Sequence, residues 1–267
     1  MTQCRLQKHW HTDRQLKEST HKRNFVELTE AAHSLAPISP VLTLKMSTPT
    51  LSVQDEAENA AAAGNAMQLQ ECFNRGAQAD TFVYLKALQN GDVDTYKVIL
   101  DNGGHIDYNL GTSGNALISA LRRHHDPLLE FLFANSVDVN NGRWGHMLPP
   151  VGVAVRINRN IKWTERLLQA GARLNETGAL HIAAVMGDLP KIELLLSFGA
   201  DINEVPACTI LGFVQYKKKG SPVHWAIHGG SAEAVQLLLQ HHPDLSVLDE
   251  DGVSVYDRLQ EAPLSLT

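Results

Sequence analysis

Apolar residues along the chain come in short bursts, never in long runs. In "LPKIELLLSFGADIN" (Leu189 to Asn203), Ile192, Leu195 and Leu196 lie at i, i+3 and i+4, which gathers them on one stripe of an α-helix. Just upstream, in "TGALHIAAVMGD", Leu180, Ala183 and Ala184 repeat that spacing with mostly small side chains. Such a face predicts a helix that lies close to its partner. A glycine follows each burst, Gly187 and then Gly199, and glycine accepts the left-handed backbone with which helices end. Thr177, and Ser221 further on, are placed to cap a first helix, and Pro222 has its φ preset for a first helical position.

The phrase from Thr177 to Asn203 recurs. Moving back by 63 residues gives "GNALISALRRHHDPLLEFLFANSVDVN", with Leu117 in the place of Leu180 and Asn140 in that of Asn203. Moving back by 96 gives "TFVYLKALQNGDVDTYKVILDNGGHID", with Gly91 on Gly187 and Gly103 on Gly199. Neither match needs a gap. Looser copies are "AAAAGNAMQLQECFNRGAQAD" (Ala60 to Asp80), "PPVGVAVRINRNIKWTERLLQAGARLN" (Pro149 to Asn175) and "SPVHWAIHGGSAEAVQLLLQHHPDLSVLDEDG", and "DGVSVYDRL" (Asp251 to Leu259) starts another. One helix pair cannot cover its own apolar faces, so six copies and a terminal half predict an all-α solenoid in which neighbours bury a continuous core. The expected organisation is a leader at 1–50 and a repeat domain at 51–263. Its repeats fall near 53–79, 80–108, 113–142, 148–175, 176–205 and 220–248, with a half-repeat at 251–263.

"GSPVHWAI", which fits a T-P-L-H-x-A pattern, "ALHIAA" followed by "GD", and the endings "LLLSFGADIN", "LLQAGARLN" and "ILDNGGHID" make the chain resemble an ankyrin-repeat protein over residues 53–263. Several copies lack the Thr-Pro, Ile118 and Gly152 stand where the motif has His, and "NGRWGHMLPP" and "VPACTILGFVQYKKKG" lengthen two connections. The resemblance implies that His181 and His224 hydrogen-bond within turns. It also implies that the two residues before each first-helix glycine line a concave surface that binds other proteins.

Composition narrows the function. With 43% hydrophobic residues in 267, the chain has enough apolar side chains for a sizeable core. Cys4, Cys72 and Cys208 share no C-x-x-C spacing, which argues against a disulfide framework or zinc knuckle and suits a reducing compartment. No apolar run approaches bilayer-spanning length, so the expectation is a soluble protein of the cytoplasm, the nucleus or both, with no membrane contact. A net charge of −6 argues against nucleic acid as the main ligand. His224 and His228 have helical i, i+4 spacing, yet no H-E-x-x-H, Gly-rich phosphate loop or G-x-S-x-G accompanies them. The expectation is therefore no cofactor, no metal and no catalysis; the alternative is an enzyme or metal-dependent protein that uses histidines of adjacent repeats.

Applied along the chain, the resemblance places Gln89/Asn90, Arg122/Arg123, Arg156/Ile157, Val185/Met186 and His228/Gly229 on the concave surface. Trp225, after the motif His, is a candidate anchor if exposed, and Lys217, Lys218 and Lys219 end an insertion expected to project as a finger. From Val139 to Asn175 the chain has 6 Lys+Arg against 1 Asp+Glu, an island in an otherwise acidic array. Arginines on adjacent repeats suit bidentate pairing with carboxylates. The reading is a monomeric regulatory adaptor, with a transcription co-regulator as one concrete form, that binds an acidic segment of another protein. The leader contains no repeat, and its "APISPVLTLKMSTPTLS" has linker composition. Deleting residues 1–45 should therefore leave the urea midpoint unchanged; a large fall would make the leader a cap of the array.

Overall fold

A helix of fewer than about twelve residues is barely stable alone in water, and every α-helix among the described residues is that short. The computed structural model describes residues 51–143, 148–157, 160–205 and 220–261. Among the described residues lie thirteen α-helices: α1 (Val53–Ala63), α2 (Ala66–Asn74), α3 (Thr81–Asn90), α4 (Val93–Asp101), α5 (Ala116–Arg123), α6 (Asp126–Ala134), α7 (Pro150–Ile157), α8 (Ile161–Gln169), α9 (Ala179–Met186), α10 (Leu189–Ser197), α11 (Pro222–Gly229), α12 (Ala232–Gln240) and α13 (Val255–Glu261). The leader, Trp144 and the Lys217–Lys219 insertion lie outside the described residues.

Helices pair in chain order, and the pairs stack. The odd-numbered helices form one layer, each touching the next from α1 to α13, and the even-numbered helices form the second. The core runs unbroken between the layers: Leu69, Leu88, Ile99, Leu117, Leu132, Leu167, Leu180, Ile192, Leu195, Val235 and Leu238 are all buried in it. Between α6 and α8 the bridge is made by large side chains. Phe133 stacks on Trp163 at 5.9 Å, the Trp163 indole N–H donates to Asp126 at 2.8 Å, and Glu130 accepts from Lys162 at 2.6 Å and Arg166 at 2.5 Å.

Short helices carry a large share of unsatisfied termini, and the sequence supplies caps for them. Ser52, Asn65, Asp80, Asp92, Asn115, Asn160, Asp188 and Ser231 each accept a backbone N–H at the start of a helix, worth about 1 kcal/mol apiece. Thr177 differs from its expected role. The N-cap residue is Gly178, while the Thr177 hydroxyl accepts from Ala179 N–H at 3.2 Å and donates to the Leu174 carbonyl at 2.6 Å.

The turns that join the pairs are laced to one another. Asn140 accepts from Arg173 N–H at 2.8 Å and donates to the Gly171 carbonyl at 3.1 Å. Asn203 accepts from Asp244 N–H at 2.8 Å, and Gln54 and Gln78 exchange two bonds in the first repeat. Where the motif histidine is missing, other packing replaces it. Ile118 is buried directly against Gly114, and the neighbouring Asn115 donates to the Asn141 carbonyl at 3.3 Å.

Leu195, fully buried between the layers, tests this packing. Leu195→Ala should cost about 2 to 5 kcal/mol in urea unfolding, the range for truncating a core leucine; a cost below about 0.5 kcal/mol would place the residue on a surface instead.

Candidate partner-binding site

The residues singled out from the sequence sit at the C-terminal ends of odd-numbered helices. α3, α9 and α11 close with Gly91, Gly187 and Gly230 at positive φ, and α5 closes with His124 at φ 58. Gly91 also has a steric reason, because a Cβ there would fall 2.4 Å from the His125 ring. Successive ends lie side by side. The Asn90 side chain donates to the Ala62 carbonyl of α1 at 3.2 Å, and the Ser119 hydroxyl of α5 donates to the Leu88 carbonyl of α3 at 3.5 Å. The Lys191 ammonium, buried at 2% exposure, donates to the Val155 carbonyl of α7 at 3.1 Å and to Asp188 at 2.6 Å. At Gly229 the approach is closer still, since a methyl group there would lie 2.3 Å from the Val185 carbonyl oxygen.

The row that results is mixed in exposure. Gln89, Asn90 and Arg123 are exposed, and Arg122, Arg156, Ile157, Val185 and His228 are half-buried. Met186 stands 52% exposed. Asn90 has a structural task, the Ala62 carbonyl. Arg122, Arg123 and Arg156 occupy the last turns of α5 and α7, where positive charge complements the helix dipole. Partial burial, and then Arg123 beside it, push the Arg122 pKa down. Arg123 has no acidic side chain within ion-pair distance among the described residues. Lys162 and Arg166 of the basic island, by contrast, are engaged by Glu130, whose carboxyl is held below its usual range chiefly by the Lys162 hydrogen bond.

Trp225 must be corrected. It is 1% exposed and meets the His181 ring edge-to-face at 5.6 Å, so it packs between repeats and offers a partner nothing. His181 donates from Nε2 to the Glu204 carbonyl at 2.8 Å. His224 accepts from Ser221 N–H on Nδ1 at 3.2 Å and donates from Nε2 to the Val253 carbonyl at 3.3 Å. Both rings pin the start of an odd-numbered helix to a turn downstream. Among the described residues no cluster of three His, Cys, Asp or Glu could hold a metal ion.

Sequence reading missed two features. One is Lys191, whose only signal was a lysine two residues into a helix that opens Asp-Leu-Pro. The other is a cleft of ≈ 590 Å³ between the turns after α6, α8 and α10, lined by Arg143 and Arg173 among others; both arginines were counted in the basic island without a place.

Residues 180–239 match the family model for ankyrin repeats (many copies). Over 98 residues, 36% of this chain, it is 35% identical to the phosphate system positive regulatory protein PHO81 of Saccharomyces cerevisiae, and the match spans 8% of that protein. Over 82 residues, 31% of this chain, it is 33% identical to the ADP-ribosylation factor GTPase-activating protein AGD4 of Arabidopsis thaliana, across 9% of that protein. The chain thus matches under a tenth of the length of each of these relatives. Among solved structures, the human ASB11 ankyrin repeat domain superposes with a TM-score of 0.59 at 20% identity, covering 79% of this chain and 93% of that one. No helix among the described residues is long and apolar enough to cross a membrane.

The pinned histidines make stability depend on pH. Burial pushes the His181 pKa from 6.5 down to about 4, so below 6.5 the unfolded chain takes up a proton that the folded one refuses. The contribution is complete above pH 6.5 and is lost as pH falls toward 4. His224, lowered mainly by burial, acts in the same direction. Denaturant unfolding at pH 7 and pH 5 should differ by about 2 kcal/mol from His181 alone, and the slope should shrink in His181→Asn even if that variant is weaker throughout. An equal slope in variant and wild type would remove His181 as its source.

Proposed function

We propose that this chain, an ankyrin-repeat protein, is a regulatory adaptor whose row of helix ends holds an acidic segment of another protein. Ankyrin repeats imply a protein–protein interaction module, and the fold is generally non-catalytic. The observation that carries the finer reading is Arg123, exposed at the end of α5 with no acidic side chain within ion-pair distance among the described residues. Arg122 adjoins it in sequence, and Arg156 ends α7, the helix packed beside α5. Guanidinium groups in fixed positions pair bidentately with carboxylates. Met186, exposed on the next helix end, adds the apolar contact that interface centres favour.

Regulation is favoured over a purely structural part by the company the repeats keep. PHO81 is by name a positive regulatory protein and AGD4 a GTPase-activating protein. Control of transcription is one concrete form of such a role, with the cytoplasm or nucleus as its site. The partner is expected to bind the chain as a monomer.

The test is quantitative capture by the full chain from native lysate, followed by titration of the captured protein. Arg123→Glu with Arg156→Glu should weaken binding by about 2 kcal/mol if the pair is a hot spot, and wild-type affinity should fall as salt rises. Equal binding by variant and wild type, with matched helical content and unfolding midpoint, would discard the row of helix ends as the contact.

A further inference from the structure

We infer that the cleft between the turns after α6, α8 and α10 is a docking slot for an acidic linear peptide segment, seating a carboxylate at Arg143 and Arg173 and an apolar side chain against Phe198. The inference rests on the reading of the chain as a module for an acidic partner, and adds to the helix ends a second contact on the turns.

Four observations converge on it. The cleft measures ≈ 590 Å³ and draws its walls from three consecutive repeats, with Asn140 and Arg143 on one turn, Arg173 and Glu176 on the next, and Phe198 on the third. That volume is in the range of binding pockets. Second, the turn that carries Arg173 is held in place. Its backbone N–H is given to the Asn140 side chain at 2.8 Å, and Asn140 holds the Gly171 carbonyl from the same side chain at 3.1 Å. A guanidinium on a clamped backbone loses less freedom when it binds. Third, Arg173 is exposed and has no acidic side chain within ion-pair distance among the described residues, although Glu176 lines the same cleft. Fourth, Phe198 remains 43% exposed beside these cations, and arginine with an aromatic ring is the pairing that interface hot spots favour.

Charge selects the occupant. Two arginines face one glutamate in the wall, inside a stretch with 6 Lys+Arg against 1 Asp+Glu, within a chain of net charge −6. Such an island draws a local acidic segment while the whole chain repels a polyanion. Pro149 and Val151, also in the wall, sit at the start of α7, and Arg156 lies near its far end. Five residues of helix, from Val151 to Arg156, span about 7.5 Å, so the helix-end and cleft variants are measured side by side.

The test selects a random twelve-residue peptide library on the immobilised full chain, then titrates fluorescein-labelled consensus peptides. The expected consensus is rich in Asp and Glu next to Phe, Leu or Met. Its affinity should fall at least tenfold with Arg143→Glu plus Arg173→Glu, and severalfold with Arg173→Lys, which keeps the charge but loses the fork. Arg173→Met removes the charge without reversing it and guards against a folding defect. Arg123→Glu plus Arg156→Glu, measured in parallel, reports on the helix ends, and Lys97→Glu on α4, away from the cleft, should leave the affinity unchanged. An acidic consensus lost only with the helix-end variants would overturn the cleft and keep the adaptor reading. A neutral or basic consensus would overturn both the cleft and the acidic partner, and a selection without enrichment would exclude a linear peptide as the occupant.

Discussion

Short helices in this array lean on their neighbours for hydrogen bonds that their own ends cannot make. A helix of seven to eleven residues leaves about four carbonyls without an internal partner, close to half of what it has. Here such carbonyls meet side chains of the following repeat: Ala62 meets Asn90, Leu88 meets Ser119, and Val155 meets Lys191. The constraint is local but directional, because each repeat completes the one before it. That is why the chain repeats itself, and why one copy could not stand alone.

The same dependence decides which polar groups are buried. A lysine at 2% exposure is costly unless paired, and Lys191 is tolerated because Asp188 and the Val155 carbonyl share its ammonium. His181 and His224 are neutral rings that pin helix to turn, and their burial holds both pKa values down. These three buried polar side chains each fasten one element to another, and apolar side chains fill the space between the layers.

Much of this was legible in the sequence, because a repeat restates its own pattern. Ile192 and Leu195 were on the buried stripe by spacing alone, and Gly187 ended its helix at positive φ. The all-α repeat architecture followed from ungapped copies. What failed was exposure at single positions. Trp225 follows the motif histidine, and periodicity of one helix cannot say whether a neighbouring repeat covers it; the His181 ring of the preceding repeat does. Lys191 had no signal as a buried residue, because a lysine at a helix start is ordinarily solvated, and its carbonyl partner lies 36 residues away. The cleft was invisible for the same reason. Arg143 and Arg173 are thirty positions apart, and the Asn140 clamp brings their turns together.

Cations in this array divide into two groups, and the division argues for a recognition role. Those of the first group are answered from within: Lys162 and Arg166 by Glu130, Lys97 by Asp94, Arg75 by Glu56 and Arg258 by Asp249 and Asp251. Arg166 also lies over the Phe133 ring at 4.9 Å, with packing that keeps it on its own layer. A charge used for stability is expected to find its partner in the next turn or repeat, where the loss of freedom is shared. Arg123 and Arg173 are placed differently. They stand on capped helix ends and clamped turns, yet have no carboxylate within reach among the described residues. The fold has fixed the backbone beneath them without using their charge, and that is the arrangement in which a partner's carboxylate gains most.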